Sequence, residues 1–336
     1  MGVICMELIH AEAGFHEIGV VDFVRFDGVI SLKADIENND WEVQLLADDL
    51  ARYGIRLGDY LYFPGTEWGG SVEKIEHISK SGVIKISGVN WRGMLARRVI
   101  LPPAGTSHLD LRETEMNAAI GMLVSGFGGL FEARVESSGL LCGRKFRYQT
   151  VLEGILDMLD GQGLRLEVTL DGDSGKVLLC ARTVTDHSDE IEFSGDYDLS
   201  YTSTLGEAQY NHVIALGGGE QEERTVKHLY LLPDGSVTED AGAPGVATGL
   251  QERQLAYNYP NSEDEDELVS GAKKRLLEYA AQNTIDFQFD SADVDLPLGD
   301  KVGLRDRITG MADVKTISRK LLTISSDGMA LEYQVN

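Results

Sequence analysis

The chain has 336 residues, 43% of them hydrophobic, and 30 basic against 55 acidic side chains give it a formal charge of −25. At about 150 residues per domain, that is material for two to three domains, and the negative charge disfavours binding to the phosphate backbone of nucleic acid. No apolar run approaches the ~18 residues of a membrane-spanning helix, which excludes stable membrane insertion of that kind.

The start, Met1 to Met6, lacks the basic region and apolar core of a signal peptide and the hydroxyl residue of a myristoylation motif, so cytoplasmic synthesis is expected. Strand patterns follow: Ile18 to Phe26, Val29 to Leu32 after an Asp27-Gly28 turn, and the alternating Trp41-Glu42-Val43-Gln44-Leu45. Tyr60 to Phe63 ends at Pro64-Gly65, and Val72 to Ile78 and Val83 to Ile86 make a hairpin through Ser79 to Gly82. Helical spacing then appears over Leu109 to Val124 and over Thr150 to Leu159, with Thr150 as the cap. Strands Leu164 to Leu170 and Lys176 to Ala181 hinge on Asp171 to Gly175.

From Tyr201 the pattern is β again, with His212 to Leu216, a Gly217-Gly218-Gly219 turn and Thr225 to Leu232. A Gly-rich loop over Pro233 to Gly249 leads to a helix from Leu268 to Gln282. Its start carries Glu263 to Glu267, acids that complement the helix dipole, and Ser262 with Glu265 has capping-box spacing. Five further strands end the chain.

The last segment echoes the first. Leu57-Gly58-Asp59 is matched by Leu298-Gly299-Asp300, 241 positions on (299 − 58), and Val72 to Ile75 lines up with Val314 to Ile317. Gly permits the left-handed turn and Asp caps it, so the triplet launches a strand in each copy. Two similar β domains per chain would let a trimer present six near-equivalent domains in a ring.

No catalytic constellation emerges. Gly172-Asp173-Ser174-Gly175 has the letters of a protease nucleophile turn, but Lys176 stands where Gly belongs, and a hairpin fits better. Gly175-Lys176 lacks the spacing and hydroxyl of a P-loop, and Gly217 to Gly219 reads as a hairpin turn rather than a phosphate cradle. Asp171 with Asp173, and Asp293 with Asp295, lack the remaining ligands of a calcium loop. His212 and His228 lie on neighbouring strands and can face each other, without a nameable third metal ligand. Cys5, Cys142 and Cys180 form no CxxC pair and read as buried thiols. Trp41 and Trp91 read as core or interface, leaving Trp68 as the one exposed tryptophan of a saccharide-binding surface. No catalytic, cofactor-binding or metal residue is assigned, and no cofactor is expected.

Several stretches together resemble the hub proteins of phage tail tips and baseplates, including the N-terminal hub module of siphophage tail-associated lysins. They are Trp41 to Leu45 before Leu57-Gly58-Asp59, Ile86 to Trp91 running into Leu95 to Ile100, Asn211 to Ile214 through Gly219 to Arg224, and Leu298 to Val302 before the closing strands. The resemblance implies a mainly β fold with an α+β insert. Two similar barrel-like tube domains would occupy 1–100 and 201–336, the second with an inserted loop and helix near 233–283, and a peripheral α+β domain 101–200. It further implies a non-enzymatic homotrimer in the virion tail tip. This symmetry-adapting ring would contact a distal tail protein, a tape-measure protein and a spike or fibre, with a lumen that DNA or the tape measure traverses. An acidic lumen would ease that passage by repulsion. The alternatives are a cell-wall hydrolase and a host-saccharide adhesion module.

Overall fold

The computed structural model describes residues 6–80, 82–189, 207–219, 224–260, 265–279 and 296–336 in full, and the backbone alone of 192–193, 200–204 and 284–290. The chain divides into two compact units: residues 1–200 with Phe287–Arg305 and Ala312–Asn336, and Tyr201–Asp286 with Asp306–Met311. The fold is mainly β with α+β parts, as expected, and the described strands form several open sheets, none closed into a barrel.

The long sheet of the first unit follows from alternation. In Asp40–Leu46 the residues Trp41, Val43 and Leu45 are buried while Glu42 and Gln44 are half exposed. Arg25–Ser31 pairs antiparallel with it and with Ala312–Ser325, and Val83–Val89 continues the sheet to its edge at Lys74–Ile78. Phe26, stacked on Trp41 with centroids 6.3 Å apart and edge-on to Phe63 at 4.9 Å, anchors the covered face. A second sheet, in the order His16–Val21, Leu8–Glu12, Tyr60–Tyr62, Gly69–Ser71, lies in the same unit.

The segments expected as separate domains 1–100 and 101–200 share one apolar core. It runs from Ile9 and Tyr62 through Trp91, Leu95, Ile120 and Leu152 to Leu166 and Val177. The helix Val151–Leu159 is placed by a complete capping box between Thr150 and Glu153, as the sequence indicated. The other expected helix is shorter than its spacing suggested. Met116–Val124 starts at the Glu115 cap, because Leu109–Asp110 is drawn into a two-residue strand with Lys145–Phe146.

Two helices were not anticipated. Ala47–Tyr53 carries Asp48 and Asp49 in its first turn and stops at left-handed Gly54, while Trp91–Leu95 is capped by the Asn90 side chain accepting from the Gly93 N–H. Both are short enough for the neighbouring strand alternation to hide them.

The second unit is a four-stranded sheet in the order Val237–Thr238, Val226–Leu231, His212–Leu216, Gln254–Asn258. Its strands 212–216 and 226–231 fall within the range 201–336 that the sequence grouped as one domain. Val213, Ala215, Leu229 and Leu231 pack against Leu268, Ala272 and Leu276 of the helix Glu265–Glu278. The proposed Ser262 capping box and the Asp293–Asp295 pair fall outside the described residues, as does Cys5.

Candidate functional site

The feature with most consequence is the repeat, now visible in three dimensions. The Gly58 N–H donates to Val72 O at 2.8 Å and the Val72 N–H donates back to Asp59 O at 2.7 Å. In the second copy the Gly299 N–H donates to Ile317 O at 2.9 Å, and the Ile317 N–H donates to Asp300 O at 2.9 Å. Both turns close with the Asp N–H on the carbonyl three residues back, Arg56 and Pro297 respectively. Gly58 and Gly299 adopt φ of +90° and +97°, which only glycine holds without strain. The equivalence corrects one detail, since Val72 corresponds to Ile317 and not to Val314. The returning arm lies three positions later than the sequence alignment placed it (317 − 314), and four positions further from Leu-Gly-Asp than in the first copy.

Each Asp is buried, and each carries a histidine. Asp59 Oδ2 meets His10 Nε2 at 2.9 Å and accepts from the Arg56 N–H at 2.8 Å. Asp300 Oδ1 accepts from Arg165 Nε and from the Thr185 N–H, both at 2.9 Å, while His187 Nε2 stands 3.5 Å from Oδ2.

The repeat extends to strand order. The main path of the long sheet runs 200–204, 284–290, Gly328–Val335, Ala312–Ser325, Arg25–Ser31, Asp40–Leu46, Val83–Val89, Lys74–Ile78. Either half, taken in chain order, has the spatial order first, second, fourth, third. Two copies of one four-stranded motif therefore lie side by side, joined where Ala312–Ser325 pairs with Arg25–Ser31.

The uncovered face of this sheet is polar and charge-paired. Across the five strands from Ala312–Ser325 to Lys74–Ile78, residues 319–325 and the four first-copy strands present Arg25, Lys74, Lys85 and Arg319. Facing the same side are Asp27, Asp40, Glu42 and Glu76, so four charges balance four. Arg25 Nε donates to Asp27 Oδ2 at 2.6 Å, Lys85 Nζ to Glu42 Oε1 at 2.8 Å and Lys74 Nζ to Glu76 Oε2 at 2.8 Å. Burial pushes the Asp27 carboxyl up, but hydrogen bonds from Arg25 and Thr323 outweigh it and hold the group below its ordinary range.

His212 and His228 do face each other, with Nε2 and Nδ1 2.8 Å apart. Sequence reasoning missed Glu252, whose Oε1 lies 2.6 Å from His212 Nδ1, because it reaches the site from the approach to a strand, 40 residues away. Gln254 and His212 hydrogen bonds hold the Glu252 carboxyl below its ordinary range. Glu252 sits on the opposite side of the His212 ring from His228, and among the described residues no three such side chains converge as a metal site.

The other candidates resolve into structure. Ser174 donates its hydroxyl to Asp171 Oδ2 at 2.5 Å inside the hairpin turn, and the Gly175 N–H closes it on Asp171 O at 2.9 Å. Gly217 and Gly218 bond to Thr225 in the hairpin they were expected to form. Cys142 and Cys180 are buried without a disulfide, and burial pushes both thiols up. Trp68 is not exposed. It is 7% accessible and packs near Gly28, where an added Cβ would lie 3.0 Å from its ring. A cleft of about 370 Å³ lies along Met116–Val124 and Phe131–Ala133, where the Glu115 carboxylate is committed to capping and to Ser138. Among the described residues no helix is long and apolar enough to cross a membrane.

No family model and no curated protein sequence matches the chain. Solved structures do. A tail protein from Neisseria meningitidis MC58 superposes with a TM-score of 0.52 at 15% identity, over 98% of this chain and 95% of that one. The 43 kDa tail protein of prophage MuSo2 from Shewanella oneidensis gives 0.54 at 11% identity, over 98% of each chain. Prophage tail protein gp18 from Listeria monocytogenes EGD-e gives 0.50 at 13% identity, over 98% and 94%. The chain has the fold of phage tail proteins, in agreement with the family resemblance drawn from its motifs.

Proposed function

We propose that this chain is a structural, non-enzymatic hub subunit of a phage-type tail tip, three copies of which close into a ring with pseudo-sixfold symmetry. The observation that carries the reading is the repeated strand order. Within the chain, Ala312–Ser325 of the second copy pairs with Arg25–Ser31 of the first. Their counterparts in the other copies are Lys74–Ile78 and Ser200–Thr204, the two ends of the sheet path. The junction made once inside the chain can therefore be made again between chains, edge to edge, until the ring closes.

In such a ring the covered face carries the core, so the open face lines the lumen. Across the five strands counted above it is charge-balanced, so passage of DNA or a tape measure would rest there on a paired, low-adhesion surface. Distal tail protein, tape measure and spike or fibre are the partners this placement implies, at the tip of the virion tail. The adhesion alternative loses its aromatic platform with the burial of Trp68.

Light scattering over a concentration series, with class averages from electron microscopy, tests the proposal. A mass of three chains and a six-lobed ring are expected. A monomer at every concentration, alone and with the neighbouring tail proteins, overturns it.

A further inference from the structure

We propose that His228, His212 and Glu252 form an acid-opened latch across the uncovered face of the four-stranded sheet in the second unit. His212 is 4% exposed and fixed from both sides, Nδ1 on Glu252 at 2.6 Å and Nε2 on His228 Nδ1 at 2.8 Å. The ring of Tyr230 stacks on it with centroids 4.3 Å apart. The three residues come from Val226–Leu231, from His212–Leu216 and from the approach to Gln254–Asn258, so the chain of bonds ties three strands together.

Counting protons gives the switching rule. The Glu252 carboxylate requires a proton on His212 Nδ1, so in the neutral pair His212 Nε2 accepts and His228 Nδ1 donates. One added proton is tolerated, because a single hydrogen still bridges the facing nitrogens whichever ring bears the charge. A second places N–H against N–H and two cations in contact, and the bond breaks. The titratable and polar groups facing the pair are Tyr230 from one strand and Glu252 with Gln254 from the other. Arg253 is turned away to Glu207 and Ala208. The helix Glu265–Glu278 packs on the opposite face, through Leu268, Ala272 and Leu276, and holds the sheet when the latch opens.

The latch belongs to the second unit and holds whether or not three chains form a ring. Hydrogen exchange at pH 7.5 and 5.0, corrected for intrinsic rates, tests it on the full chain. Amides of 212–216 and 226–231 should lose protection about tenfold at pH 5.0 while those of 268–276 keep theirs. His228→Gln, whose amide can still donate to His212 but takes up no proton, should hold its protection at both pH values. Equal loss in this variant and the parent, loss spread to the helix, or no loss in the parent would each overturn the latch.

Discussion

Replacing Asp300 with alanine removes the acceptor of Arg165 Nε and of the Thr185 N–H in one step. The carboxylate is 1% exposed as a residue, and the Arg165 side chain is 13% exposed, so water compensates little of the loss. Breaking a buried pair by deleting one partner costs about 3–5 kcal/mol, since the remaining charge stays desolvated. We expect Asp300→Ala to lose about 4 kcal/mol, a drop in Tm on the order of 8–16 °C for a unit of this size. Asp59→Ala leaves no guanidinium stranded, only His10 and the Arg56 N–H, and should lose about 2 kcal/mol. Urea unfolding followed by tryptophan fluorescence reads the right unit, because Trp41, Trp68 and Trp91 all lie buried within it. Adding Arg165→Met should recover part of the Asp300→Ala loss. A loss below about 1 kcal/mol for Asp300→Ala, or no recovery in the double variant, would refute the ion-pair account.

Thr150→Ala should cost about 1 kcal/mol by opening the capping box, and Thr150→Ser should restore most of it, read as urea midpoints. Gly70→Ala places a Cβ 1.9 Å from Val89 O and should abolish soluble expression, whereas Gly143→Ala, with nothing within 4 Å, should leave it unchanged. The Asp27 carboxyl, held below its ordinary range, contributes stability that is present above the usual carboxylate value near ~4 and lost as pH falls through its folded value. Thr323→Val removes one of its donors and should shrink that acid-side loss, measured by thermal unfolding between pH 5 and 2.5.

The sequence disclosed what alternation and turn chemistry control. The pairing of Lys74–Ile78 with Val83–Val89, the turn at 171–175, the Thr150 cap and the Leu-Gly-Asp repeat were all readable because each depends on residues within a few positions of one another. What escaped depended on distance along the chain. Glu252 reaches His212 across 40 residues, and Arg165 reaches Asp300 across 135, with no local signal to announce either. Trp68 misled because a Gly-flanked position reads as a loop tip, although here Gly69 and Gly70 form a strand pressed against Tyr62 and Val89, which carries the indole inward. The shared core of residues 9–181 was hidden for the same reason, since periodicity reveals an apolar face but not the face it meets.

The two copies of the sheet motif differ most at one connection. In the first, strands Arg25–Ser31 and Asp40–Leu46 are joined by residues 32–39 alone; in the second, the chain between 200–204 and 284–290 accommodates most of an independently cored unit. That connection is a point of tolerated growth. The short loop at 32–39 is the corresponding connection in the first copy. A foreign domain whose termini lie close together should be accepted there with the sheet intact, giving the framework a second place to carry an added unit.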